Sequence, residues 1–487
     1  MNLTYWSRVA LMTGLALFGT RAYGHSFGEV YVLPLPFERY AWGAAAALIV
    51  SFVLAALFLR APGREARPHP SPRLWQLPAP LIGGLRAMTL LLLGLAIVSG
   101  LAGTPNPYAN FNMTLFWVVF MLGSAYATVL VGDLFALINP WRTLAEGVAQ
   151  LWPRLQTGFI RYPGRLGVWP AAMLWVGLVW VELFGHIGPR SLSLMLMAYT
   201  GLTLGACVLF GIERWFRHGE LFSVWLNLLA RLAPVAFQHE QGGAPSRTFS
   251  WRWPFAGALS PQDRPHGRVM LIMALLATTA FDGLYDTEIW HRLYWLWLYP
   301  EWLSHWLGHN PLEAFPTLRR LYGLWNSAWL WLMPALYLLA YALAAFLSAQ
   351  LASQLGGTRE VMRRFAPSLL PIVLVYHASH YYTLLQVQGP KIFPLLSDPL
   401  GRGHNWLGTA TWFKHVNAPD VYRIWDVQLA LILAGHIVSV ALAHTVAVRL
   451  LADRRQAVIS QLPMLVLMVA FTVGGLWILS QPFQAGR

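Results

Sequence analysis

The stretch Tyr376–Gly389, YHASHYYTLLQVQG, lies inside an apolar run over positions 366–388 and carries two histidines. About 20 predominantly apolar residues are enough to cross the hydrocarbon of a bilayer as a helix. On such a helix His377 and His380, three apart, share one face. Ionisable groups are costly in hydrocarbon, so a pair placed there points to function before packing.

Runs of the same kind recur along the chain. Of its 487 residues 57% are hydrophobic and only 11% charged, where soluble chains carry about 25% charged residues. The pattern predicts an all-α, polytopic transmembrane helical bundle of about ten spanning helices. They fall near 37–60, 81–103, 112–138, 168–187, 191–212, 268–287, 323–351, 366–388, 424–450 and 459–481. Residues 25–487 form a single membrane domain. Residues 1–24 read as a signal peptide or signal-like segment, with Arg8, a short apolar core and Ala22-Tyr23-Gly24. Cleavage after Gly24 would leave His25 as the mature N-terminus, where amine and ring together chelate copper; otherwise His25 is a chance histidine.

The net charge of +14 would direct a soluble chain to nucleic acid. Here the arginines fall in alternate connections: Arg142 to Arg165, Arg214 to Arg252, Arg359 to Arg364 and Arg449 to Arg455. The positive-inside rule then sets the mature N-terminus outside in a bacterial inner membrane, in agreement with the signal. The partners implied are the lipid bilayer and a small apolar substrate, with no nucleic acid. Cys207 is the only cysteine, which excludes disulfides within the chain and thiolate clusters. P-loop, G-x-S-x-G, H-E-x-x-H and C-x-x-C-H motifs are absent from the sequence, which disfavours ATP-driven work, a serine hydrolase elbow and c-type haem. Pro140–Leu155 and Gly219–Phe237 read as amphipathic helices on the membrane surface. Ile289–His309, rich in Trp and Tyr, reads as lying in the outer interface.

A rise of about 1.5 Å per residue converts this topology into depth. His377 and His436 fall near mid-membrane, and His380 about 4.5 Å further out. Glu182 with His186, and Asp282 with Asp286, are pairs four apart, each on one face in the outer half. Imidazole and carboxylate are the usual ligands of zinc, manganese, iron and copper where cysteine is missing. The expected ligands of a divalent transition metal are therefore His377, His380, His436, His186 and Asp286. Glu182 and Asp282 would complete the shell or act as general base. A single His or Asp near a helix end also commonly makes only an interhelical hydrogen bond. His444, near the inner interface, reads as structural, and Asp133 with Asn139 and Arg142 as a local salt bridge. The loop SDPLGRGHNWLGT, Ser397–Thr409, has the composition of a turn-rich lid; its Asp398, Arg402 and His404 would meet a substrate or face water.

Five segments together, HSFGEVYVLPLP, GDLFALINPWR, YHASHYYTLLQVQG, SDPLGRGHNWLGTA and AGHIVSVALAHTVAVRLL, carry a likeness over most of the chain. It resembles the bacterial integral-membrane family labelled fenitrothion hydrolase-like. The resemblance implies hydrolysis of an organophosphate triester at the cell envelope, with His377, His380 and His436 the residues it carries over. The expectation is thus an outward-facing metal site that hydrolyses small apolar esters. Two other classes stay open: a transporter or metal/proton carrier, and a redox protein. The latter would hold haem b between His436 and His377 or His380, or copper at His25.

Overall fold

In hydrocarbon every backbone N–H and C=O must be paired within its own segment, so apolar runs of this length fold as helices. The computed structural model describes residues 37–58, 74–239, 245–260, 266–295, 304–307, 311–412 and 420–481. The signal-like segment, His25 and the basic connection 60–73 lie outside the described residues.

The chain opens with α1 (Phe37–Phe58), a short strand β1 (Leu74–Gln76) and α2 (Ala79–Ala102). Next comes α3 (Phe111–Val131), whose stretch Thr114–Gly123 is wound as a π-helix. Asn139 caps α4 (Pro140–Leu151) by accepting the N–H groups of Trp141 and Arg142. Helices α5 (Trp169–Phe184) and α6 (Pro189–Phe210) follow, then α7 (Leu221–Leu229), capped by Glu220. Strands β2 (Val235–His239) and β3 (Pro245–Trp251) join β1 in a small antiparallel sheet of order β1-β3-β2. Then come α8 (Arg268–Tyr285), the long α9 (Pro311–Leu351) and α10 (Thr358–Phe365). The chain closes with α11 (Leu370–His380), α12 (Tyr382–Gln388), α13 (Val421–Leu450) and α14 (Arg454–Ser480).

Among the described residues eight helices are long and apolar enough to cross a membrane: α1, α2, α3, α6, α8, α9, α13 and α14. The protein is therefore an all-α polytopic membrane bundle. Two of the ten expected spans differ. α5 has 16 residues, about 24 Å at about 1.5 Å each and short of a core of about 30 Å. The run 366–388 is broken into a 3₁₀ turn at Ala366–Leu369, α11 and α12, with Tyr381 as the joint at φ −94°, ψ 10°.

The expectation for Gly219–Phe237 is corrected. Leu221, Phe222, Val224, Trp225, Leu226, Leu228 and Leu229 are all buried, and a helix apolar on every side belongs in a core rather than on a surface. It packs between α5 and α3, then turns through Ala230–Leu232 into β2. Asp133 also departs from expectation: it accepts from Asn227 Nδ2 at 2.7 Å and the Ala136 N–H at 3.2 Å. Arg142 instead pairs with Glu146 at 2.8 Å and with Glu213. Of the aromatic segment, Trp290 and Tyr294 are buried, against Trp325 and Tyr322 of α9. His444, fully buried, has Nδ1 3.1 Å from Gln461 Nε2.

Candidate intramembrane acid–base site

The two segments that fail as simple spans carry the site. α5 presents Trp175, Leu178, Val179 and Glu182 on one face, at the spacing of a helical stripe. α8 presents Thr278, Thr279 and Asp282, and the broken segment His377, Tyr381 and Leu384; the π-helical stretch of α3 adds Trp117, Met121 and Leu122. Together they enclose a cavity with room for little more than one water molecule. Glu182, Asp282 and His380 all stand within the last turn of their helices, so three C-terminal ends converge here. Helix C-termini carry partial negative charge and favour a cation or an additional proton beside them.

At the centre His380 Nε2 lies 2.6 Å from Asp282 Oδ2. Tyr381 Oη lies 3.3 Å from the same oxygen and 3.0 Å from Glu182 Oε1. A phenol has one hydrogen to give. It cannot donate fully to both carboxylates, so satisfying both contacts takes a proton on Glu182 or Asp282 donated back to Oη. The network therefore has more than one arrangement of its protons over the same heavy atoms. Tyr381 stands at the break between α11 and α12, its N–H bonded to the His377 carbonyl at 3.1 Å.

His377 is buried beside the network, its ring 5.0 Å from that of Tyr381 and 6.0 Å from that of Trp225. Its Nδ1 makes a long contact, 3.5 Å, with Tyr126 Oη. A second small cavity adjoins the first, lined by Trp225, Leu229, Leu275, Val373 and Leu374 as well. His377, Trp175 and Thr279 are walls common to both cavities.

The structure joins Glu182, Asp282, His377 and His380 and parts them from the other expected ligands. His436 packs edge-on against Tyr376, ring centroids 5.9 Å apart, and Tyr376 Oη donates to the Phe471 carbonyl of α14 at 2.6 Å. It thus sits one position round α11, on a different face from His377. His436 Nδ1 is 2.8 Å from the Ile432 carbonyl, which makes Nδ1 the protonated nitrogen; Nε2 is buried without a hydrogen-bond partner. His186 is exposed in the bend after α5, at φ +44°, and Asp286 closes α8 as its C-cap. Neither lines the cavity. Among the described residues no group of three or more His, Cys, Asp or Glu side chains is arranged to hold a metal ion. The shared depth of the expected ligands is not shared position.

The loop expected as a lid is built for itself. Asp398 accepts the N–H groups of Arg402 at 3.0 Å and Gly403 at 2.6 Å. Its Leu400 carbonyl accepts the Thr104 N–H at 3.0 Å, which docks the loop on the end of α2. Arg402 and His404 are exposed, His404 stacked on Trp406. None of Asp398, Arg402 and His404 lines the cavity.

Sequence reasoning left Tyr381, Tyr126 and Trp225 without a role. Tyr381 had a signal, a polar-tipped ring four residues after His377 in the same motif. The other two come from distant segments that only folding brings near. Comparison with protein-family models, with curated proteins and with solved structures finds no match.

Proposed function

We propose that this protein is a membrane proton carrier. Its working centre is the network His380–Asp282–Tyr381–Glu182, with His377 as the group that hands the proton between the two adjoining cavities. The observation that carries the reading is the single phenol shared by two carboxylates, one of them paired with a histidine. Such a group of atoms takes up or releases a proton with little movement, and chains of Asp, Glu and His within the membrane serve as proton relays in pumps and transporters. Two further features support it. The site sits on a discontinuous helix, where transporters place their ion sites. It also lies at the helix ends remote from Arg165, Arg268 and Arg364, so the positive-inside rule turns it to the outer side of the inner membrane.

The expected metal-dependent hydrolysis of an organophosphate fits less well. It needs several ligands in one shell and room for a triester, whereas the cavity admits about one water. Haem between α11 and α13 fares no better. These helices meet at Gly435, where an added Cβ would stand 2.4 Å from the side chain of Val375.

The test is reconstitution in liposomes under an imposed pH gradient, read with a trapped pH-sensitive dye, alongside metal analysis of the purified protein. Wild type is expected to collapse the gradient at least tenfold faster than Asp282→Asn or His380→Gln. Equal rates in all three would sink the carrier reading. Stoichiometric zinc, manganese, iron or copper, lost in His380→Gln, would replace it with the metal-dependent one.

A further inference from the structure

A proton carrier needs a way inward from His377, and the second cavity lies in that direction. Leu275 of α8 and Val373 with Leu374 of α11 line it and not the first cavity. Each stands about one helical turn nearer the ends beside Arg268 and Arg364 than Thr279 and His377 do. Trp225 and Leu229 of α7 close the same space, which has room for at most one water molecule.

Two polar side chains stand at the junction of the cavities, His377 and Thr279. Trp175, the third common wall, commits its indole N–H to Thr278 Oγ1 at 3.0 Å. His377 has Nδ1 against Tyr126, which leaves Nε2 as its nitrogen for the cavities. Thr279 Oγ1 donates to the Leu275 carbonyl at 3.1 Å, so its lone pairs are what it offers to a neighbour. A water between the two would donate to Thr279 Oγ1 and take up the hydrogen on His377 Nε2, with the indole of Trp225 a third polar group on the wall. Buried waters are held by about two to four such partners. Inward of this point the walls turn apolar. Leu229, Leu275 and Val373 are buried, and in the next turn Leu271 and Leu370 are buried as well. Hydrophobic constrictions of this kind gate by excluding water.

We infer that the proton leaves His377 inward through one water that Thr279 positions in the second cavity, and that Leu275, Leu271 and Leu370 form the dry constriction that limits the step. The inference rests on the carrier reading. The imidazolium formed when the outer network protonates His377 loses its Nε2–H, and an O–H bond forms on the water. A second O–H bond of that water breaks on the inner side. Thr279 keeps its hydroxyl hydrogen throughout, so it is a positioning residue.

The experiment is proton flux of the full chain in liposomes under an imposed pH gradient. Wild type is compared with Asp282→Asn, Thr279→Val, Thr279→Ser, Leu275→Ser and the double variant Leu275→Ser/Asp282→Asn, each with its unfolding temperature in detergent. Thr279→Val keeps the shape and removes the hydroxyl, and its flux is expected to be at least tenfold slower. Thr279→Ser should restore most of it. Leu275→Ser places a hydroxyl in the constriction and should speed flux severalfold, and Asp282→Asn should abolish that gain. Equal flux in wild type and Asp282→Asn would sink the carrier reading and this inference with it. With Asp282→Asn slow, wild-type flux in Thr279→Val overturns the inference alone. So does a Thr279→Ser as slow as Thr279→Val, which would make the contribution of Thr279 one of packing. Should Thr279→Val not fold, Leu275→Ser decides: a flux no faster than wild type, or a gain that survives Asp282→Asn, overturns the route.

Discussion

At the scale of single residues, Tyr381 and His436 show how little composition says about a buried polar group. Both are ring-bearing residues near the middle of an apolar run. Tyr381 is bound to two carboxylates, while His436 spends one nitrogen on its own helix and leaves the other bare. Tyr381→Phe keeps the ring and removes the shared hydroxyl. Leaving buried acceptors short of a donor costs about 1–3 kcal/mol, so a lower unfolding temperature in detergent is expected. Proton flux in liposomes should fall at least tenfold with it; a flux unchanged beside a lowered stability would make Tyr381 a structural bridge only. A mid-membrane depth for His377 and His436, with His380 about 4.5 Å further out, was legible as an expectation because a helix rises by a constant step. Their separation was not, because depth leaves the angle about the helix axis open.

At the scale of elements, that angle is set by small residues where helices touch. Gly435 lets α13 approach α11 until an added Cβ would stand 2.4 Å from Val375 and 3.1 Å from the Pro371 carbonyl; at Gly475 of α14 one would stand 2.0 Å from Tyr376 Oη. These contacts turn Tyr376 towards α14 and so turn His377 towards Trp225 and the cavity. Gly435→Ala should force α11 and α13 apart, at a cost of about 1–3 kcal/mol for overpacking a filled interior. Because α11 carries His380, the same variant should slow proton flux. An unfolding temperature equal to wild type would show that the contact does not set the angle. The break at Tyr381 was likewise hidden in the sequence. Tyr381 is neither Gly nor Pro, and hydropathy averages over a window that passes straight across a one-residue joint.

At the scale of the molecule, the proposed orientation in the bilayer rests on the arginines, and Cys207, fully buried, leaves the surface clear for labelling. In a Cys207→Ala background, Arg402→Cys should react in intact cells with a membrane-impermeant thiol reagent. Gln354→Cys, exposed beyond the far end of α9, should react only after permeabilisation. The opposite pattern would place the acid–base site on the cytoplasmic side.

By itself the sequence determined the class of protein and the rough positions of eight spans. Each of these follows from solvent chemistry or helical rise and needs no knowledge of neighbours. It also carried the pairs within one segment, His377 with His380 above all. Tertiary structure alone decided that α7 is core, that the run 366–388 is broken, and that Asp282 and Glu182 meet Tyr381 while His436 turns away. Those outcomes rest on which helices pack together and how each is rotated, and both come from side-chain fit between segments far apart in the chain.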